Sequence, residues 1–252
     1  MTSKKQIATP QIRCSDKESS FKILAIDTST STASVALAID QKIVAESVFC
    51  TDRTLSARLI PEIERLMTLA GIALTDINLF AASTGPGSFT GVRGGVATIQ
   101  GLALASNKPC IGYSSLAMLA MNFSLSPYPV CALLDARKSE VYAGLYNCSD
   151  CIPVPIVNDC VIPPANLLEL IRISTDQPLI FAGDGALRYR EIIVESFGKQ
   201  AILAPFQLHN SRASNGILLA MNAYRRSEIL APAKLLPVYL RASDAEINHK
   251  IK

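Results

Sequence analysis

The sequence predicts an α/β protein made of two copies of one βββαβα unit. Three observations carry that expectation. The order of β-rich and helical segments between residues 22 and 105 begins again after residue 129. The first strand of each half ends in an aspartate, Asp27 after Leu24-Ala25-Ile26 and Asp135 after Ala132-Leu133-Leu134. The fourth strand of each ends in a glycine turn, Ser83 to Gly87 and Gly183-Asp184-Gly185, that runs into a helix. Residue identity between the halves is slight, so the duplication is one of topology.

Taken in order, Lys22 to Asp27, Ser34 to Ile39 and Lys42 to Phe49 are apolar, β-branched runs separated by short turns, which predicts a three-stranded meander. From Thr54 to Ala70 a helix is expected, because Leu55, Leu59, Ile63, Leu66, Met67 and Ala70 recur at helical spacing before Gly71; Pro61 predicts a bend or a late start. Ile77 to Ala82 reads as a strand that ends in Gly85-Pro86-Gly87, after which Ser88 or Thr90 can cap a helix running to Ala105. A short strand follows at Cys110 to Tyr113.

In the second half, Pro129 to Asp135, Glu140 to Tyr146 and Ile152 to Val157 read as strands, Ala165 to Ile173 as a helix, Pro178 to Phe181 as a strand and Ala186 to Phe197 as a helix. A last helix, Ala213 to Arg226, and a strand, Val238 to Arg241, return most simply to the first half. The first lobe is then discontinuous, residues 21–114 plus 208–241, with the second at 115–207 and tails at 1–20 and 242–252. Met1 to Ser20 is polar and reads as a disordered tail. No Pro/Gly/Ser-rich linker separates the lobes, so close packing with a cleft between them is expected.

The helix from Gly91 to Ala105 is the least ordinary segment. Gly94, Gly95 and Gly101 sit inside it, each costing about 0.8–1 kcal/mol relative to Ala. On a 100° wheel they share a side with Thr98 and Ala105, while Val92, Val96, Ile99 and Ala103 share another. Two packed faces are implied. Small residues show that a backbone approaches closely, and the pattern leaves open whether it belongs to this chain or a partner. The helix start after Gly85-Pro86-Gly87 could also hold an anion, or be only a tight connection.

Composition excludes several classes. The longest apolar stretches fall short of the ~18 residues a membrane span needs, and the N-terminal residues lack the apolar core of a signal peptide. A net charge of +3 with no basic run longer than Arg225-Arg226 is too mild for a nucleic-acid footprint of its own. Seven cysteines, an odd number, suit reduced thiols in a cytoplasmic protein. Cys148-Ser149-Asp150-Cys151 spells C-x-x-C, but without a second pair or a nearby histidine a hairpin loop is the reading. The segment Gly87 to Gly91 is not a G-x-S-x-G nucleophile elbow, since Pro86 stands where its first glycine should. It is not a P-loop either, lacking the lysine. His209 and His249 form no ligand-spaced pair and read as surface residues. No catalytic residue, metal site or cofactor is predicted.

Two facing halves would bring Asp27 and Asp135 to opposing strand ends, where a metal–nucleotide complex could sit. Thr28 and Ser29 would offer hydroxyls and N–H groups to phosphate, and Gly183 and Gly185 would let a base or ribose approach the backbone. This arrangement resembles the actin, Hsp70 and sugar kinase superfamily. The alternative is that Asp27 and its Ser/Thr run form a hydrogen-bonded turn.

Five motifs, Ile23 to Thr30, Gly85-Pro86-Gly87-Ser88-Phe89-Thr90-Gly91-Val92-Arg93, Gln100 to Ala103, Asp135-Ala136-Arg137 with Glu140-Val141-Tyr142, and Pro237 to Arg241, closely resemble the bacterial TsaB (YeaZ) family. The resemblance spans Phe21 to about Arg241. It implies an actin-like two-lobed fold and a noncatalytic role in forming N6-threonylcarbamoyladenosine at position 37 of tRNA. The obligate partner would be the larger paralogue TsaD, a metalloprotein that transfers the threonylcarbamoyl group, with TsaE as an ATPase and tRNA reached through the complex. The run Arg53 to Ile60 has no histidines where the catalytic paralogue carries H-x-x-x-H, which agrees with a noncatalytic role. Association, with TsaD or as a homodimer when the partner is absent, is implied through the first two helices. Leu55, Leu59, Ile63 and Met67 would supply apolar surface, and Gly91, Gly94, Gly95, Thr98 and Gly101 close approach. The rival expectation is an actin-like ATPase or small-molecule kinase that uses the cleft.

Overall fold

The structure is a computed structural model that describes residues 20–50 and 55–241. The tail expected up to Ser19, the segment 242–252, Cys14, Arg53 and His249 lie outside the described residues.

Each half folds around one five-stranded mixed sheet. The first contains β1 (Lys22–Asp27), β2 (Thr32–Ile39), β3 (Lys42–Cys50), β4 (Leu79–Gly85) and β5 (Cys110–Ser114), in the order β3-β2-β1-β4-β5. The second contains β6 (Val130–Asp135), β7 (Val141–Asn147), β8 (Val154–Ile162), β9 (Leu179–Ala182) and β10 (Ala201–Leu203), in the order β10-β9-β6-β7-β8. Both centre on their first strand, β1 or β6, which pairs antiparallel with the second and parallel with the fourth. This is the actin-like fold, two βββαβα lobes of one topology.

Strand alternation decides which helices each sheet receives. In the first lobe Leu24, Ile26, Val35, Leu37 and Phe80 face α1 (Leu55–Ala70) and α2 (Phe89–Ser106). Ile23, Ala25, Ala36 and Leu79 face the other way, onto Ala213, Ile217 and Ala220 of α7 (Ala213–Arg225). In the second lobe Cys131, Leu133 and Phe181 face α4 (Pro164–Ser174), α5 (Asp184–Arg188) and α6 (Arg190–Phe197). Val130, Ala132 and Leu134 face α3 (Ser115–Ala120). Thus α3 and α7 form the layer between the sheets, and α3 touches both: Met118 packs on the first sheet, Leu116 and Leu119 on the second.

Several expectations are corrected. The late start weighed for Pro61 is not seen: Pro61 lies inside α1, whose described residues run from Leu55. The helix expected over 186–197 is interrupted at Tyr189, whose φ of −106° and ψ of 24° leave the helical region, giving α5 and α6. Strand β10 and helix α3, too short to show a period, complete the second lobe's sheet and the interlobe layer. Val238 to Arg241 is not a strand; its recorded backbone bond runs from Val238 N to Thr84 O at 2.8 Å. His209 is buried, not at the surface: Gly183 N–H donates to Nδ1 at 3.1 Å, and Nε2 lies 2.8 Å from Ala204 O, which it reaches as the donor in that tautomer. Cys148 is buried beside Ala120 O, and burial pushes its thiol up to about 12; Cys151 is exposed.

Candidate functional site

Helix α2 is where the described surfaces of the first lobe meet. Ser88 caps it, its Oγ accepting from Gly91 N at 3.3 Å. Val92, Val96, Ile99 and Ala103 are buried on the sheet and α1. Gly91 and Gly95 are buried too, but against this chain's own β1–β2 turn: a Cβ at Gly91 would overlap Thr28 O, and one at Gly95 would overlap Thr28 Oγ1. Thr28 fills that space and donates from Oγ1 to Gly91 O at 2.7 Å. The close approach inferred from these two glycines is therefore intramolecular.

The other side of α2 is different. A Cβ at Gly94 would lie 3.6 Å from Leu55 Cδ2 of α1, while one at Gly101 would meet nothing within 4 Å. Ala97, Gly101, Leu104 and Ala105 are exposed, Leu104 at 73%, and Gly94 and Thr98 are half-buried. On α1, Leu59, Ile63 and Met67 belong to the lobe's own core; Ile60 and Leu69 are exposed. Of the residues expected to form a partner face, then, Gly101, Gly94, Thr98 and Leu55 remain reachable, while Leu59, Ile63, Met67, Gly91 and Gly95 are committed within the chain. The spacing could not separate the two sets, because both lie on apolar or small faces.

Between the lobes lies a cleft of about 720 Å³, lined by Ser29 to Ser31, the turn Pro86 to Thr90, Arg93, Asp135 to Arg137, Tyr142, Asp184 and the segment Val238 to Arg241. The fold class implies a metal–nucleotide complex here, and the residues present do not fit one. Asp27 is fully buried and does not line the cleft; its Oδ1 accepts from Ser83 Oγ at 2.5 Å and Ser29 N at 3.0 Å, and burial pushes its carboxyl above the usual range. Ser29 O takes Ser88 N–H at 2.7 Å, and a Cβ at Gly87 would overlap Ser29. The start of α2 is thus stoppered by the turn that would have met phosphate. Asp135 reaches the cleft but is paired with Arg188 at 2.7 Å and Arg137 at 3.5 Å. Gly183 and Gly185 do not line it, since each packs its Cα face on Leu133. The alternative weighed for Asp27, a hydrogen-bonded turn, is what the geometry contains.

Sequence reasoning passed over what the cleft wall does contain. Arg93 donates from Nε to Tyr239 Oη at 2.6 Å and lies 3.7 Å over the Phe89 ring. Its signal was that Arg93 and Gln100 are the clearly polar residues between the small and the apolar faces of the helix.

Comparison with known proteins gives the geometry a family. Residues 42–249 match the family described as "TsaD: tRNA N6-adenosine threonylcarbamoyltransferase". The tRNA threonylcarbamoyladenosine biosynthesis protein TsaB of Bacillus subtilis (strain 168) is 31% identical over 224 residues, 89% of this chain and 96% of that protein. The chain belongs to the TsaB (YeaZ) family. The TsaB of Escherichia coli (strain K12) is 43% identical over 129 residues, 50% of this chain and 55% of its own length. The structure of YeaZ from Pseudomonas aeruginosa superposes with a TM-score of 0.75 at 32% identity, covering 87% of this chain and 100% of that one. The TsaB family is related to TsaD and generally acts as a noncatalytic component of threonylcarbamoyladenosine biosynthesis. Among the described residues no helix is long and apolar enough to cross a membrane.

Proposed function

We propose that this chain is the noncatalytic partner subunit required for tRNA N6-threonylcarbamoyladenosine formation in the cytoplasm, and that it binds and activates a TsaD threonylcarbamoyltransferase through α1 and α2. The observation that carries the reading is the open side of α2. Gly101 there has no side chain, a Cβ in its place would meet no described atom within 4 Å, and Ala97, Leu104 and Ala105 extend that exposed side. Such a face lets a second helix approach at the short end of the 8–10 Å range of helix packing. TsaE and tRNA join through the complex, and a second copy of the chain covers the same face when TsaD is absent. The actin-like ATPase reading finds less support: Asp27 is buried away from the cleft with Oδ1 bonded to Ser83, Ser29 O is taken by Ser88 N–H, and Asp135 is paired with Arg188.

The test is a reconstituted threonylcarbamoylation assay with tRNA, threonine, bicarbonate, ATP, the adenylate-forming enzyme, TsaD and TsaE, with this protein present or omitted. Modification is expected to depend on its presence. Equal modification without it would reject the proposal.

A further inference from the structure

The lobes are joined across the cleft at two levels. Beneath it runs α3, with Ser115 Oγ donating to Pro86 O and the neighbouring Ser114 Oγ donating to Asp159 Oδ2 of the second lobe at 2.5 Å. At its mouth runs the segment Pro232 to Arg241, which follows α2 and then crosses. Gln100 Nε2 donates to Pro232 O at 3.1 Å and Leu235 O at 2.9 Å, and Leu235 is fully buried among residues of the first lobe. Val238 N–H donates to Thr84 O, and a Cβ at Gly85 would press on Val238 O at 2.9 Å. Tyr239 meets both Arg93 and the Phe89 ring, the ring centroids 5.1 Å apart. Two residues on, Arg241 reaches the second lobe, pairing with Glu140 at 2.7 Å and donating to Ala136 O at 2.9 Å.

We propose that Pro237 to Arg241 is a latch that holds the two lobes at one angle and opens at its second-lobe end. The ends are unequal. On the first lobe the segment is held by a buried leucine, backbone bonds and an arginine clasped by two rings. On the second, among the described residues, its hydrogen bonds come from Arg241, with Arg241 24% and Glu140 30% exposed, so water competes for the pair. The receiving loop also has a cost of its own: Arg137, Lys138 and Ser139 all sit at left-handed φ of 61°, 52° and 59°, a conformation side chains disfavour. The loop closes on itself through Ala136 N–H to Glu140 O at 3.1 Å and presents both partners of Arg241 together. Because Gln100 and Arg93 both belong to α2, release at Arg241 frees the second lobe to turn about α3 while the segment stays on α2. The inference goes beyond the partner reading and does not need it.

The test uses the full chain and its own cysteines. Cys50 and Cys151 are exposed, one on each lobe. With Cys14→Ser and Cys160→Ala in the background, spin labels at Cys50 and Cys151 report the interlobe distance by pulsed electron resonance. A single narrow distance is expected for the parent, and a broadened distribution for Arg241→Ala and for Glu140→Ala, with unchanged circular dichroism. Amide exchange at Val238 is expected to stay slow in both variants, since the first-lobe end remains attached. A distribution unchanged by both substitutions, or one already broad in the parent, overturns the latch. Glu140→Ala, a partly exposed side chain, keeps the test valid should Arg241→Ala disturb folding.

Discussion

Replacing Gly101 by leucine separates the two uses of small residues in α2. In the free chain a Cβ at this position meets nothing within 4 Å, so the leucine points into open space and the helix gains the difference in propensity, about 0.8 kcal/mol. For a chain of this size about 1 kcal/mol moves the melting temperature by roughly 2–4 °C, so Gly101→Leu, diluted until the chain is monomeric, should melt about 2–3 °C higher than the monomeric parent. In the complex the same side chain must fit under the partner helix. Overpacking of that kind costs about 1–3 kcal/mol, or roughly a 5- to 150-fold loss of affinity. Gly95→Leu should behave in the opposite way, because its Cβ would overlap Thr28 Oγ1 and break the bond from Thr28 to Gly91 O; it lowers the melting temperature of the monomer. Melting by circular dichroism, calorimetry against TsaD and the reconstituted modification assay read the three effects. A lowered melting temperature for monomeric Gly101→Leu would refute the open-space reading, and TsaD affinity within twofold of the parent would remove the α2 face from the interface.

Two further outcomes follow from backbone and burial. Ser139 holds φ at 59° as the third left-handed residue in a row, so Ser139→Gly should stabilise the chain by about 1 kcal/mol; a denaturant midpoint that fails to rise would contradict the geometry. Asp27 is buried with Oδ2 unpartnered among the described residues, and desolvation raises its pKa. A raised folded-state pKa means that the native chain holds a proton the unfolded chain releases. The associated stability is therefore complete below about pH 4, where the unfolded carboxyl is protonated, and is lost as pH rises toward the folded-state pKa at up to about 1.4 kcal/mol per unit. The stability of the parent relative to the isosteric Asp27→Asn should fall as pH rises above about 4, and a pH-independent difference would show that Asp27 is ionised as readily in the fold as out of it.

The architecture was legible in the sequence because its signals are local and repeated. Strand runs ending in Asp27 and Asp135, followed by helical periods and glycine turns, name the βββαβα unit without any long-range information. What was not legible depended on contacts across the chain. Gly91 and Gly95 announce a close approach, but the approaching atoms belong to Thr28, more than sixty residues earlier. Gly183 and Gly185 looked like room for a ligand and instead make room for Leu133. Val238 to Arg241 reads as a strand because it is extended and apolar, yet what lies beside it is the end of β4 and the side chains of α2, which supply one carbonyl and an arginine in place of a ladder. His209 read as a surface residue because nothing nearby in sequence shows that it fills the space under Gly183.

The three interior glycines of α2 together cost the helix about 2.5 kcal/mol relative to alanine, and the way that cost is offset points to the function. At Gly95 the chain recovers it by seating Thr28, whose hydroxyl then bonds the helix backbone. At Gly94 the neighbouring Leu55 methyl stands at ordinary contact distance, so the space is partly used. At Gly101 the described chain offers nothing in return: a Cβ there would meet nothing within 4 Å, and the residues around it, Ala97, Leu104 and Ala105, are exposed. In the proposed complex the cost at Gly101 is recovered when the partner's backbone comes close on this exposed side. The cleft points the same way from the opposite direction. Asp135 there is paired with Arg188 and Arg137, and Asp27 lies buried behind the turn that closes the start of α2, so these two carboxylates are not presented to a nucleotide, and the partner face proposed on α2 needs neither of them.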